Sequence, residues 1–348
     1  MSYSRVGTPR FFIDLPLFAR YHNLIVDHPQ NTDVLTFSPT KTKNLALGHD
    51  NSQMYYDALD FHFDDSCWIN SMDYCFYLGH KFFTDNIFGS IYSKSISGGW
   101  VKITKILEEV NCYVDLNSIT ATPIIVPDTD GWSMIRFNKF YEDDLELIRI
   151  LIGGHLGESE LNQPFQLGDV SCGWTYEMPH SPELSLKLSY VNESIRTQTT
   201  RGGVILTDEG YGEPPYWLNK PQWMINDGSA PISNYRGASP NVRRIWDLSF
   251  SYLQDTDLLN ENYNGKSNRH FGLLQSRTSV DGSQIMGIKD SFYSKVYHGS
   301  CGFKNPFIFQ PNKDVTEFAI VRIDGNSLTI DQVANNVYNV SLKLIETW

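Results

Sequence analysis

The clearest pattern of apolar and polar positions lies at the C-terminal end of the chain. Apolar and polar residues alternate there with a period of two, which is typical of a β-strand with one buried face. The apolar row consists of Tyr338, Val340, Leu342 and Leu344, and Trp348 continues it. The run before it is more apolar and predicts a strand covered on both faces; its apolar residues are Val315, Phe318, Ile320, Val321 and Ile323. Residues 327–336, between the two strands, predict one helical turn at most.

Two more alternating rows lie in the second half of the chain. They are Leu184, Leu186, Leu188 and Tyr190, and then Trp246, Leu248, Phe250 and Tyr252. Residues 195–200 predict a returning hairpin partner for the first row, and Gly202-Gly203 allow a bulge or tight bend. In the first half, residues 120–126, 132–137 and 145–152 predict strands, whereas residues 100–110 fit a short helix or a strand equally well. Because sustained helical periodicity is missing, the sequence predicts an all-β fold.

Turn-forming residues divide the chain. Glycines and prolines in residues 153–168 predict a connection between domains. The prediction is therefore two β-sandwich domains, at residues 41–160 and 166–348, preceded by an N-terminal arm or first strands at residues 1–40. The second domain carries two long excursions, residues 207–241 and 255–290. Long loops in compact domains are usually functional or packed at an interface.

Composition narrows the class of partner. The chain has 28 Lys and Arg against 40 Asp and Glu, a formal net charge of -12, which argues against binding of duplex nucleic acid. No apolar run reaches the length of about 18 residues that predicts a membrane span. The N-terminus lacks the features of a signal peptide, and five scattered cysteines predict reduced thiols. The sequence therefore predicts a protein that is made and assembled in a cytoplasm.

The common catalytic and ligand motifs are missing. There is no P-loop, dinucleotide-binding, zinc-protease or nucleophile-elbow pattern, so neither a cofactor, a metal nor a catalytic residue is predicted. Residues of the types that bind zinc occur at His62, Cys67, Cys75 and His80. Structural zinc sites usually bring cysteines closer together, so buried thiols and a core histidine are the favoured interpretation. Asp128-Thr129-Asp130-Gly131 resembles the start of a calcium loop, for which a solvated acidic turn is the favoured interpretation.

A polysaccharide hydrolase would need two carboxyl groups that face each other across a cleft. Adjacent acidic pairs occur at residues 64–65, 108–109 and 143–144, but nothing singles out one of them. His180-Ser181 and residues 298–301 (His-Gly-Ser-Cys) supply a base and a nucleophile type without a third orienting group. The sequence therefore does not predict an enzyme, and a hydrolase ranks last among the alternatives.

The first excursion is rich in aromatic residues and poor in charge. Its aromatic residues are Tyr211, Tyr216, Trp217, Trp223 and Tyr235. Such side chains can cap their own domain, contact a neighbouring subunit, or form a stacking platform for sugar rings. Arg243-Arg244, just after this excursion, can pair with carboxylates of a neighbouring protomer. These seven residues are the predicted subunit-contact or glycan-binding positions.

Several segments resemble proteins of tailed-bacteriophage virions. Residues 73–80 (Asp-Tyr-Cys-Phe-Tyr-Leu-Gly-His) resemble a strand and Leu-Gly-His step of galactose-binding-like jelly rolls, and residues 130–135 with 147–152 are similar to later strands of that module. The segments that look like a minor tail protein are residues 176–182, 201–203, 243–250, 306–309 and 342–348. The resemblance covers most of residues 65–348 and rests on framework motifs.

This resemblance implies a structural virion protein of the tail tip, similar to distal tail (baseplate hub) proteins. Those proteins pair a tube-forming β-sandwich with a galactose-binding-like β-sandwich and assemble as rings, commonly hexamers. The implied partners are copies of the chain itself and other tail proteins, and the alternative function is binding of a host surface glycan. In that family the tube-forming domain usually comes first, whereas here the ring-forming candidate comes second.

Overall fold

The computed structural model describes part of the chain. The described residues are 6–21, 43–45, 48–49, 55–62, 72–80, 87–95, 100–102, 106–115, 124–127, 131–138, 145–154, 165–184, 186–192, 195–209, 242–258, 291–325 and 328–347. Both predicted excursions, residues 207–241 and 255–290, lie outside them except for residues 207–209 and 255–258.

Strands dominate the described part of the chain. In chain order they begin with β1 Arg10–Asp14, β2 Lys43–Leu45, β3 Gly48–His49, β4 Tyr55–His62, β5 Tyr74–His80, β6 Ile87–Ser95, β7 Trp100–Lys102, β8 Ile106–Val110, β9 Cys112–Asp115, β10 Ile124–Pro127 and β11 Gly131–Phe137. They continue with β12 Leu145–Gly154, β13 Phe165–Leu167, β14 Asp169–Glu177, β15 Lys187–Asn192, β16 Ile195–Thr199, β17 Ile205–Glu209, β18 Val242–Gln254, β19 Phe307–Gln310, β20 Ala319–Ile323, β21 Ile330–Ala334 and β22 Val337–Glu346. The helical segments are α1 Leu15–Tyr21, α2 Asp255–Leu258 and a π-helix, Tyr293–His298.

The strands form one large antiparallel sheet and a second, smaller one. The large sheet has eleven strands in the order β15-β18-β22-β20-β19-β1-β14-β5-β11-β8, with β21 paired to β22. The second has seven strands in the order β3-β4-β12-β6-β10-β9, with β7 paired to β6. Strands β2 and β13 pair with each other, as do β16 and β17. The protein is therefore all-β, as the sequence predicted.

The large sheet contains strands from all three segments of the predicted domain division. It combines β1, from the predicted arm, with β5, β8 and β11 from the first predicted sandwich and with the C-terminal strands of the second. Strand β1 lies in its middle, where Phe11 is opposite Tyr176 of β14 on one side and Phe309 of β19 on the other. Strands from the predicted arm and from both predicted sandwiches, residues 41–160 and 166–348, therefore share one sheet. Turn composition does not reveal such pairing between distant strands.

One half of the large sheet curls back on itself. Strand β8 lies four strands from β1, about 19 Å away if strands in a flat sheet are about 4.8 Å apart. Arg10 Nη1 nevertheless lies 2.9 Å from Glu108 Oε2. Strand β11 lies five strands from β20, yet the Trp132 ring is 5.3 Å from the ring of Phe318, just before β20. The concave face therefore encloses its own core, here called the curled core: Phe12, Tyr74, Phe76, Leu78, Val110, Trp132, Met134, Ile308, Phe318 and Ile320.

The opposite face of the same sheet packs on the main core. Phe18 of α1 and Val296 of the π-helix cover part of this face, and the second sheet contributes Ile91, Ile125 and Ile150. The central strands are thus buried on both faces, and every residue of β5 is buried. Residues 74–78 (Tyr-Cys-Phe-Tyr-Leu) accordingly show no alternating polar row, since a strand with two buried faces needs none.

The C-terminal strands follow the predicted pattern closely. Val340, Leu342 and Leu344 are buried in β22 while the residues between them are half-buried or exposed. Strand β20 is covered on both faces, with Ile320 in the curled core and Val321 in the main core. Residues 330–334, within the predicted helical turn, form strand β21 instead. Residues 100–102 and 106–110 are strands rather than a helix.

Candidate functional site

One β-hairpin belongs to neither the large sheet nor the second sheet, and its described side chains are exposed. It comprises β16, β17 and the turn between them, and we call it the projecting hairpin (residues 195–209). Its two strands pair only with each other among the described residues, from Thr199 opposite Ile205 to Ile195 opposite Glu209. The sequence predicted residues 195–200 as a partner of the preceding strand. That prediction is wrong, because β15 pairs with β18 and β16 pairs with the strand that follows it.

The turn of the projecting hairpin is closed by hydrogen bonds. The Thr200 N–H donates to Val204 O at 2.8 Å, and the Gly203 N–H donates to Thr200 O at 2.9 Å. The Thr200 hydroxyl accepts from the Val204 N–H at 3.1 Å. Gly203 has a φ of 83°, a conformation that glycine adopts without steric cost. The Gly-Gly pair in the sequence therefore forms the bend that was one of its two predicted roles.

Three consecutive aliphatic residues at the tip of the projecting hairpin face solvent. Val204 is 59%, Ile205 66% and Leu206 55% exposed, and residues 197–207 are all exposed. An isolated two-stranded hairpin is marginally stable in water, and clustered exposed apolar side chains commonly mark an interaction site. The tip is therefore the best candidate for a contact surface in the described part of the chain.

Strand β15, which precedes the projecting hairpin, forms one end of the large sheet. It pairs with β18 and, within the described residues, with no other strand. The predicted row from Leu184 to Tyr190 is only partly correct, since the strand begins at Lys187 and Leu184 is 96% exposed. Leu186 and Leu188 pack against the main core. Strand β15 thus combines an anchored face with an open edge of backbone donors and acceptors.

Arg244, predicted as a contact to a neighbouring protomer, is buried in its own chain. Its guanidinium forms a bidentate pair with Glu346, with Nε 2.9 Å from Oε2 and Nη2 2.7 Å from Oε1. Nη1 lies 3.1 Å from Glu317 Oε1, and the guanidinium lies over the Trp246 ring, 5.0 Å from its centroid. Its carboxylate partners are therefore intramolecular. Arg243 lies on the other face of β18 and is half-buried.

The five predicted aromatic positions Tyr211, Tyr216, Trp217, Trp223 and Tyr235 lie outside the described residues. Their proposed contacts to a subunit or a glycan therefore stay predictions.

A network of charged side chains crosses one end of the curled core. Glu108 accepts from Arg10 at 2.9 Å and from Arg136 at 3.0 Å, and Arg10 Nε donates to Glu177 at 3.0 Å. Lys313 Nζ lies 2.6 Å from Glu177. Partial burial opposes ionisation of Glu177, but the hydrogen bonds from Lys313 and Arg10 outweigh it and hold the pKa of Glu177 below its usual value. The network joins strands that are distant in the sheet and therefore holds the curl closed.

Asp14 lies buried where β1 meets α1. Its Oδ1 accepts from the Leu17 N–H at 2.6 Å, which caps the helix, and its carboxylate also bonds to the Ser171 side chain. Burial raises the pKa of Asp14 to about 7, because desolvation disfavours the charged form. The Ser171 hydroxyl is 3.1 Å from Tyr74 Oη. This buried polar chain links α1 to β14 and β5.

The buried cysteines lie in the main core. Cys75 of β5 and Cys172 of β14 are directly opposite each other and fully buried. Burial raises the pKa of both thiols well above the usual value, so the reactive thiolate is scarce at neutral pH.

The described residues of the zinc-like spacing, His62, Cys75 and His80, are divided between two sheets. His62 lies in the second sheet, whereas Cys75 and His80 lie in the large sheet, and Cys67 lies outside the described residues. His80 Nε2 is 2.8 Å from the Ser133 hydroxyl, and burial lowers the pKa of His80 to about 3. Among the residues that the structure describes, no group of three or more His, Cys, Asp or Glu has a metal-binding arrangement.

The π-helix presents a half-exposed aromatic cluster. The rings of Tyr293 and Tyr297 stack with centroids 5.3 Å apart, and His298 packs edge-on against Tyr293 at 4.4 Å. The π-helix is held against the sheet by the Trp174 indole, which donates to Lys295 O at 3.0 Å. A π-helical turn is rare and frequently lies at a functional site.

The nucleophile and base types that the sequence pointed out have structural contacts. Ser300 is buried and its hydroxyl donates to Val296 O at 2.7 Å. His180 Nδ1 lies 2.8 Å from Ser181 O. Ser300 and His180 therefore each contact a nearby backbone carbonyl group. The acidic positions at residues 64–65, 128, 130 and 143–144 lie outside the described residues.

The aliphatic tip of the projecting hairpin was not among the predicted contact residues. A signal for it was present, because Val204-Ile205-Leu206 follow the Gly-Gly bend as three consecutive apolar residues. A strand with one buried face alternates, so an unbroken apolar run beside a tight turn indicates either a second buried face or an exposed contact. Burial of Arg244 also had a signal, since Arg244 shares the parity of Trp246, Leu248 and Phe250.

Comparison with known proteins identifies no relative. No protein-family model matches the chain, and no curated protein matches it. Among solved structures, a DUF4466 family protein from Parabacteroides merdae aligns with 10% sequence identity over 88% of this chain and 98% of that one, with a TM-score of 0.11. Within the described residues, no helix combines the length and hydropathy needed to cross a bilayer.

Proposed function

We propose that this chain is a structural subunit that assembles with copies of itself. The observation that supports the proposal most directly is the exposed aliphatic tip of the projecting hairpin, Val204-Ile205-Leu206. Burying such side chains against a second copy removes apolar surface from water, at about 25 cal/mol per Å². The open edge of β15 offers a second surface of the kind that strand addition uses.

The setting that we propose is the tail tip of a tailed bacteriophage, where the subunit forms a ring and joins the tail tube to tip components. This part of the proposal rests on the framework motifs in residues 73–80, 243–250 and 342–348. Its partners are other copies and other tail proteins, assembly takes place in the host cytoplasm, and the product is part of the virion.

The test is native mass spectrometry, with class averages of any oligomer, on the full-length chain over a range of concentrations. A closed ring of about six copies supports the proposal, because cyclic closure requires heterologous contacts that return to the first subunit. A chain that stays monomeric at every concentration overturns it. A trimer refutes the ring and favours a fibre or spike.

A second candidate function is recognition of a host glycan by the half-exposed aromatic cluster on the π-helix. The observation that favours it is the stacked pair Tyr293 and Tyr297, both half-buried, with ring centroids 5.3 Å apart. Aromatic faces stack on sugar rings and Tyr hydroxyls supply hydrogen bonds. A glycan array on wild-type protein and on Tyr293→Ala tests it; binding that survives the substitution excludes this cluster, and absence of binding excludes the function.

A further inference from the structure

The projecting hairpin has a free strand edge as well as an apolar tip. Within the described part of the chain, β17 pairs only with β16, so the outer side of β17 has unpaired backbone groups. An exposed edge of this kind readily accepts another strand. The surface that covers the tip must therefore supply apolar contacts and a complementary edge.

The outer side of strand β15 supplies both an apolar contact and a complementary strand edge. Its outer edge has no partner strand among the described residues, and it is six residues long against five for β17. Val191 and Ser189 are half-buried and Lys187 is exposed, so this edge has contact positions that its own chain leaves open to water.

We propose that β17 of one copy adds antiparallel to the β15 edge of a second copy, so that the two sheets become continuous. This inference rests on the proposed self-association and names the surfaces that carry it. Because the donor and the acceptor are different surfaces of the chain, the contact is heterologous, and repeated addition forms a ring or a filament.

One register satisfies the residue types on both strands. It places Val204 opposite Val191, Leu206 opposite Ser189 and Asp208 opposite Lys187. Directly opposite apolar pairs and opposite charges both stabilise antiparallel strands. A shift by two residues in one direction puts Leu206 opposite Lys187, and a shift in the other direction removes the charge pair. The register with Asp208 opposite Lys187 is therefore preferred.

The first test replaces Leu206 with Lys in the full-length chain. Leu206 is exposed, so the substitution leaves the fold of the subunit intact, which far-UV circular dichroism and the thermal midpoint check. Val333→Lys is the matched control, since Val333 is also an exposed aliphatic residue, 52% accessible, in a strand that pairs with one neighbour, β22, among the described residues. Native mass spectrometry is expected to show a dissociation constant weakened roughly ten-fold or more for Leu206→Lys and unchanged for Val333→Lys.

The second test is a charge exchange. Lys187→Asp and Asp208→Lys each weaken assembly, and the double variant restores it because the opposite charges are again paired across the interface. This rescue does not depend on the stability of the hairpin, so it separates the proposed contact from a general folding defect.

The outcomes separate the two proposals. Assembly of the wild type that persists in Leu206→Lys, or no rescue by the charge exchange, overturns the strand-addition contact and leaves self-association standing. A wild-type chain that is monomeric throughout overturns both. Loss in Leu206→Lys together with rescue by the charge exchange supports the contact and its register.

Discussion

Replacing Asp14 with Asn should remove most of the pH dependence that this buried carboxyl contributes to stability. Asp14 is buried between β1 and α1 and its pKa is raised from 3.8 to about 7. Asn keeps the shape of the side chain and an oxygen that accepts from the Leu17 N–H, and Asn caps helices about as well as Asp. The substitution therefore removes the titrating group while keeping the cap.

The sign follows from proton linkage. Between about pH 4 and pH 7 the folded state holds a proton on Asp14 that the unfolded chain has released, so folding is favoured at the acid end. This contribution is complete below the unfolded pKa and is lost as the pH rises through the folded pKa. A pKa difference of about three units corresponds to about 4 kcal/mol. Asp14→Asn should therefore match the wild type near pH 4 and exceed it by up to about 4 kcal/mol at pH 8.

The assay is urea unfolding, monitored by tryptophan fluorescence, at about pH 4.5, 6 and 8. These pH values run from just above the unfolded pKa of Asp14 to above its folded pKa. Other titrating groups are common to both proteins and cancel in the difference between their free energies of unfolding. Asp314→Asn is the control, because Asp314 is exposed. A difference between wild type and Asp14→Asn that is independent of pH, or that grows towards acid, would refute the reasoning.

Three further predictions concern packing and burial. Arg244→Ala leaves two buried carboxylates without their cation and should cost about 3 to 5 kcal/mol in urea unfolding; a loss below about 1 kcal/mol would contradict the role given to the ion pair. Gly173→Ala puts a Cβ 2.1 Å from a backbone oxygen of β1 and should lower the free energy of unfolding by about 3 kcal/mol or prevent folding. Gly202→Ala, with nothing within 4 Å of the added carbon, is its control, and equal thermal midpoints for the two variants would count against the tight packing. Cys75 and Cys172 should resist maleimide in the native protein and react in urea, as peptide mass spectrometry can show; rapid native labelling of either would contradict their burial.

Local pattern predicted the strands best where one face of a strand is buried. Val340, Leu342 and Leu344 alternate with polar residues, and their burial follows directly from that alternation. Tyr252 breaks the predicted row of β18 because the register shifts between Phe250 and Leu253, which leaves Tyr252 80% exposed with a φ of 62°. A bulge depends on the partner strand, so a single strand's sequence does not reveal it.

The local pattern of apolar and polar residues did not predict which distant strands pair. The residues 10–14 carry an apolar run, but nothing in that run indicates that its neighbours are β14 and β19. The same limit applies to the contact surface. Val204, Ile205 and Leu206 read as part of a strand, and only the three-dimensional placement of the hairpin shows that no core covers them.

The position of β1 has a consequence for how the chain folds during synthesis. Arg10 is paired with Gln310, so the middle of the large sheet joins residues that are 300 positions apart. At about 5 to 20 residues per second, the ribosome needs roughly 15 to 60 s to make the intervening chain. During that interval Phe11 and Phe12 have no partner strand on the β19 side. The nascent protein must therefore keep β1 soluble until residues 307–310 have emerged, and the middle of the large sheet can close only after that point.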